Sequence, residues 1–193
     1  HYGGGTWFKS AFLHTFTFLA LSFLLVNPPF GDIAAPELAS KWTVVTDDGE
    51  DITYPVDMAT SGSTLTWFTD GSPVLAGDAW LLFGLMDNVN SDGAVVEVTR
   101  EYQANVTVLE ENVSYWTNEF QRIQNGTVDD PANNSVPNLT PHGELDQPFS
   151  IYLGSNLGEG THKINVIITE QGDPWENVQS YTWNLVVTSE VTA

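Results

Sequence analysis

Cysteine is absent from the 193 residues, and Lys and Arg together number only five. Without cysteine there is no disulfide framework, no thiolate nucleophile and no thiolate metal site. A domain outside the cell would then be held by packing or by bound ions. The five cations stand against 25 Asp and Glu, a formal net charge of -20. No basic cluster is present to neutralise phosphates, which excludes nucleic acid as a partner. The HExxH zinc motif, the GxSxG nucleophile elbow and the P-loop are also missing. In so acidic a chain a pair of neighbouring carboxylates marks nothing. The sequence therefore presents no catalytic constellation, and neither an enzyme nor a cofactor is expected.

What is present argues for a real core. Hydrophobic residues make up 41% of the chain and charged residues only 16%, with seven Trp, unlike a disordered acidic tail. One apolar run dominates. From Trp7 to Val26 the only formal charge is Lys9, near the start. Twenty helical residues span about 30 Å, the thickness of a bilayer core. We read 7–26 as a transmembrane helix, 1–6 as a short cytoplasmic tail, 27–40 as a linker and 41–193 as an extracellular domain. Trp7 and Phe8 suit one interface, and Asn27-Pro28-Pro29 ends the helix at the other. No basic residue follows Lys9 until Lys41, so the positive-inside rule puts the N-terminus in the cytoplasm. A cleaved signal peptide would carry a shorter apolar core, and a buried helix of a soluble protein would carry a polar face. Ser10, His14 and Thr17 share one stripe at i, i+4, i+7. Either they bond their own backbone or the stripe contacts another membrane helix, where small polar residues act as glue.

Roughly 160 residues remain after the anchor, enough for one domain with its own core. Their period is two. Lys41–Thr46, Ser63–Thr69, Ala79–Met86, Phe149–Leu153, His162–Thr169 and Tyr181–Val187 read as strands. The unbroken apolar run 79–86 suits a strand buried on both faces. Residues 94–108 alternate most clearly, with Val96, Val98, Val106 and Val108 on one face, and Arg100 breaking that face at an expected bend. Trp116, Phe120 and Ile123 are spaced as on a short helix over 114–124. A long polar loop covers 127–148, and turns are expected at 47–51, 154–160 and 171–174. The fold expected is mainly β, an antiparallel immunoglobulin-like β-sandwich preceded by one N-terminal transmembrane helix.

Residues 157–170, LGEGTHKINVIITE, followed by 181–188, YTWNLVVT, resemble the last strands of immunoglobulin-like domains in archaeal cell-surface proteins. The excess of carboxylates over lysine is similar to that of halophilic or marine archaeal proteins, whose solubility relies on salt screening; an acidic extracellular domain of a mesophile is the alternative. The resemblance implies an extracellular role by contact and no catalytic residues.

Five N-glycosylation sequons fall between 105 and 140, at Asn105, Asn112, Asn125, Asn133 and Asn138. They point to one glycan-covered face. Asn88, Asn90 and Asp92, with Gly93 at the sixth position, resemble a calcium loop, although Thr99 stands at the twelfth where Glu is usual. A solvated acidic turn is the plainer reading, so calcium is the one ion considered. Trp67, Trp80 and Trp175 are most simply core or interface residues, with a sugar-binding face as the alternative. Taken together, these features are those of a single-pass glycoprotein at the cell surface. Its partners would be the lipid bilayer and other membrane or surface-layer proteins. The alternatives are an accessory subunit of a larger integral membrane complex (transporter, translocon or respiratory) or a surface-filament subunit.

Overall fold

The structure is a computed structural model and describes residues 3–25, 34–57, 59–87, 93–112, 115, 138–171 and 175–189. The short helix expected over 114–124 and the loop 127–137 lie outside these residues, apart from Tyr115. Helix α1 spans Gly4–Leu25, starting three residues before the expected Trp7. No residue along it is buried. Along it Phe8 stacks on Phe12 and Phe12 on Phe16, at centroid separations of 6.4 and 6.1 Å. These are i, i+4 pairs along one face.

The remainder is mainly β, in two sheets. The strands are β1 (Glu37–Asp47), β2 (Ile52–Thr53), β3 (Thr64–Phe68), β4 (Val74–Met86), β5 (Val95–Tyr102), β6 (Asn105–Leu109), β7 (Asp146–Gly158), β8 (Gly160–Gln171) and β9 (Glu176–Thr188). One sheet has the order β2-β1-β4-β7 and the other β3-β9-β8-β5-β6. β1 begins four residues before Lys41. Not every pair is antiparallel as expected. β3 runs parallel to β9, with Leu65 beside Leu185 and Trp67 beside Val187. The chain changes sheets between β2 and β3, so β3 reaches the edge of the second sheet in the direction of β9.

Alternating residues meet between the sheets. Ile164, Val166 and Ile168 on β8 and Leu185 and Val187 on β9 are buried against Leu81, Phe83, Phe149 and Ile151. Trp42 of β1 stacks on Trp183 of β9 at 4.9 Å, and Phe83 meets the edge of Trp183 at 5.4 Å. The Trp42 indole donates to the Gly62 carbonyl at 2.7 Å, so its one polar atom is satisfied in the core. A second, smaller core lies on the outer side of β4, where Val45, Trp80 and Leu82 pack with Ala59, Tyr115 and Leu139. β4 is thus covered on both faces, which accounts for its unbroken apolar run.

Two expectations fail at turns. Residues 94–108 are not one strand bent at Arg100. The chain reverses at Gln103-Ala104, which have φ of 49° and 63°, a two-residue hairpin of the twisted kind that needs positive φ at both positions. Neither residue is Gly, Asn or Asp, so the turn leaves no signature. The reversal pairs Tyr102 with Asn105 and Arg100 with Thr107, and cross-strand partners share a face. Val106 and Val108 therefore lie on the outer face, 66% and 75% exposed, opposite to Val98. The turn expected at 154–160 narrows to Glu159, because β7 continues through Gly158.

Gly84 reports how tightly the second core is closed. A Cβ there would lie 2.3 Å from the Leu139 carbonyl oxygen, so the segment 138–140 crosses β4 where only glycine leaves room. Gly84→Ala should therefore cost about 1–3 kcal/mol through overpacking and lower the melting temperature by several degrees in a thermal scan. Gly93→Ala, whose added carbon meets open space, should leave it unchanged. An unaltered melting temperature for Gly84→Ala would show that this crossing does not exist.

Candidate functional site: a cleft between the sheet edges

On β5, alternation turns Val98, Arg100 and Tyr102 toward the other sheet. Arg100 is half-buried and reaches the edge strand β7, where the pairing with β4 slips: Ala79 faces Gly154 and Trp80 faces Tyr152. Leu153 is the extra residue of this bulge, and its carbonyl accepts a hydrogen bond from Arg100 Nη1. Gly154 has φ 123°, and a Cβ there would stand 3.1 Å from the same nitrogen. Glycine thus permits both the bulge and the close approach of the guanidinium.

The chain leaving β6 crosses to the same edge. Glu111 bridges to Ile151, the Asn112 amide donates to the Ser150 carbonyl at 2.9 Å, and the Ser150 hydroxyl donates to the Asn112 carbonyl. Between this crossing segment and the β4–β7 edge lies an open cleft of about 540 Å³. Tyr152 lines it and packs beside Trp80 at 5.0 Å with a tilt of 48°. Trp80 is itself stacked on Tyr115 at 4.0 Å. Asp78 Oδ1 accepts from the Tyr152 hydroxyl at 3.1 Å and from the Ser155 hydroxyl.

Charge in the cleft is mixed. Desolvation lowers the Arg100 pKa, and the nearby Tyr102 and Tyr152 partly oppose that fall. Arg100 Nε is buried without a hydrogen-bond partner, and no carboxylate among the described residues forms an ion pair with this cation. Glu111, also lining the cleft, is pushed above its usual carboxylate range by desolvation. Glu110 and Asn112 complete the polar wall. The arrangement offers hydrogen-bond donors and acceptors side by side, with an aromatic face next to them.

The residues singled out from sequence are placed unevenly. Asn112 lines the cleft, and its Oδ1 accepts from the Tyr115 amide at 3.2 Å. Asn105 opens β6 on the side of Tyr102, and its Nδ2 donates to the Gln103 carbonyl at 3.3 Å. Asn138 Oδ1 accepts from the Thr140 amide at 3.0 Å. Asn125, Asn133 and the calcium-loop residues Asn88, Asn90 and Asp92 lie outside the described residues. Among the described residues no group of three or more His, Asp or Glu is placed to hold a metal ion. In the acidic turn, Asp47 and Asp48 accept from the amides of Gly49, Glu50 and Asp51, which stabilises the turn itself. Ser10, His14 and Thr17 are exposed on α1. Trp67 is a core residue, 4% exposed, whereas Trp175 is 61% exposed. Sequence reasoning saw Arg100 only as an interruption of an apolar face. The signal that could have found it is its rarity among carboxylates on an otherwise apolar stripe.

Behind Arg100 sits His162, 1% exposed. Its ring stacks on Tyr102 at 4.1 Å, and Nε2 lies 2.8 Å from the Gly158 carbonyl. Burial is the main force lowering its pKa, the nearby Arg100 charge adds to the fall, and the Gly158 hydrogen bond opposes it. The native state thus favours neutral His162. Its contribution to stability is complete above the unfolded value of about 6.5 and is lost as pH falls below that value. Melting temperatures measured between about pH 7.5 and about pH 5.5 should fall more steeply for the native chain than for His162→Gln. Parallel curves would remove His162 from the account.

Compared with known protein families, the chain matches none, and no curated protein sequence matches it.

Proposed function

We propose that this chain is a single-pass membrane protein whose β domain stands outside the cell and acts by contact: anchoring, adhesion or bracing at an archaeal cell surface. The observation that carries the reading is α1. It has 22 residues, a mean hydropathy of 1.5 over its central window and no buried side chain. Such a helix is unstable in water and finds its solvent in lipid. The absence of basic residues between Lys9 and Lys41 supports an outside domain. The net charge of -20 supports a salt-rich setting. Asn105, Asn112 and Asn138 are exposed residues, accessible to a glycosylating enzyme.

The domain is, in this proposal, immunoglobulin-like. The support is its strand order. The layers are β2-β1-β4-β7 and β3-β9-β8-β5-β6, and apart from the edge strands β2 and β3 this order resembles that of the two immunoglobulin sheets. A second reading, an accessory subunit of a larger membrane complex, draws on the exposed stripe of Ser10, His14 and Thr17 along α1. That stripe would face a neighbouring helix.

The test is membrane association of the full chain. The native protein should stay with the membrane through alkaline carbonate washing. Phe16→Arg, at the helix centre, should release much of it, because a central Arg costs about 2.5–3.5 kcal/mol on insertion. Protease added outside intact cells should digest the β domain, and glycan masses should appear on peptides containing Asn105, Asn112 or Asn138. Release of the native chain by carbonate would refute the anchor. Stoichiometric membrane partners in a native detergent pull-down would favour the subunit reading.

A further inference from the structure

We propose that the cleft between β6 and the β4–β7 edge is a saccharide-binding site. Such a site depends on the cleft alone and not on a cell-surface role. Its volume of about 540 Å³ lies within the ordinary range for small-ligand sites. The ligand class follows from what the walls can satisfy. Arg100 has five N–H donors; among the described residues Nη1 bonds the Leu153 carbonyl, and the buried Nε has no partner. Asn112, on the cleft wall, adds an amide whose oxygen accepts from the Tyr115 backbone. Against these donors stand three carboxylates, Asp78, Glu110 and Glu111.

An anionic ligand would satisfy Arg100 and meet three carboxylates. A cation would satisfy the carboxylates and meet a half-buried guanidinium. An apolar ligand would strand the donors of Arg100 without partners. A polyhydroxylated ring satisfies both sets, because each hydroxyl donates once and accepts twice. Its C–H face also suits the partly exposed ring of Tyr152, 37% exposed and tilted against Trp80, since aromatic faces carry negative charge density. Two sources can supply the sugar: the chain's own glycan on Asn112 at the cleft wall, or a glycan of a neighbouring molecule.

The experiment uses the full chain, made in a host without N-glycosylation and held in a detergent with no sugar headgroup. Saturation-transfer NMR is recorded with the methyl glycosides of glucose, galactose, mannose and N-acetylglucosamine. Transfer to at least one sugar is expected. Arg100→Gln should weaken binding about tenfold or more. Thr107→Trp, an exposed edge position lining the cleft, should abolish it without disturbing the core, as checked by circular dichroism. No transfer to any of the four from folded protein, or undiminished transfer in folded Thr107→Trp, would overturn the proposal. The same measurement on chain from a glycosylating host separates the sources. Binding recovered only in Ser114→Ala, which removes the sequon and keeps Asn112, identifies the chain's own glycan as occupant. Equal binding by the native chain and Ser114→Ala identifies a glycan from elsewhere.

Discussion

The stack of Trp42 on Trp183 joins the two sheets of a domain that has no disulfide to do so. One ring comes from β1 and the other from β9, 4.9 Å apart and nearly parallel. Phe83 closes on Trp183 from β4, Phe149 follows from β7, and Tyr181 flanks the group from β9. Burying such rings removes large apolar areas from water and adds preferred aromatic geometry. It also fixes the separation of the sheets. Leucine and isoleucine layers on either side then fill the remaining space at the density of a protein interior.

With the sheets fixed at their centre, their edges are left apart on the side of β6 and β7. Irregular backbone collects there. The β4–β7 ladder bulges at Leu153, Gly154 takes a conformation reserved for glycine, and the β5–β6 hairpin turns through two residues with positive φ. A regular edge would bond in line and present nothing. The bulge instead frees a carbonyl for Arg100, and the chain crossing after β6 forms the opposite wall. The packed centre and the polar cleft are thus two results of one constraint. Aromatic bulk sets a spacing that the edges do not fill.

The strands that were legible are those whose pattern depends only on themselves. Ile164, Val166 and Ile168 alternate inward as expected, and so do Trp183, Leu185 and Val187. Ala79 to Leu85 is buried on both faces because a second core covers β4, and its unbroken apolar run said as much. Residues 94–108 misled for a physical reason. A two-residue hairpin shifts the phase of alternation by one, so the pattern reads as continuous while the faces change places. Gln103-Ala104 carries none of the usual turn residues, and the reversal is stabilised by strand pairing on both sides. The parallel pairing of β3 with β9 was equally invisible, because strand direction in a sheet is a property of the whole path.

By itself, the sequence determined the anchor-length apolar helix, the acidic and cysteine-free character of the chain and the inward faces of β4, β8 and β9. These follow from composition and local period, which act over a few residues at a time. Only the tertiary structure decided what Arg100 is. Its carbonyl partner lies 53 residues away, and the Asp78–Tyr152 contact in the same cleft spans 74. No local pattern encodes such meetings. They arise when bulk in the core sets the distance between two sheets and the chain at their edges bends to close what it can.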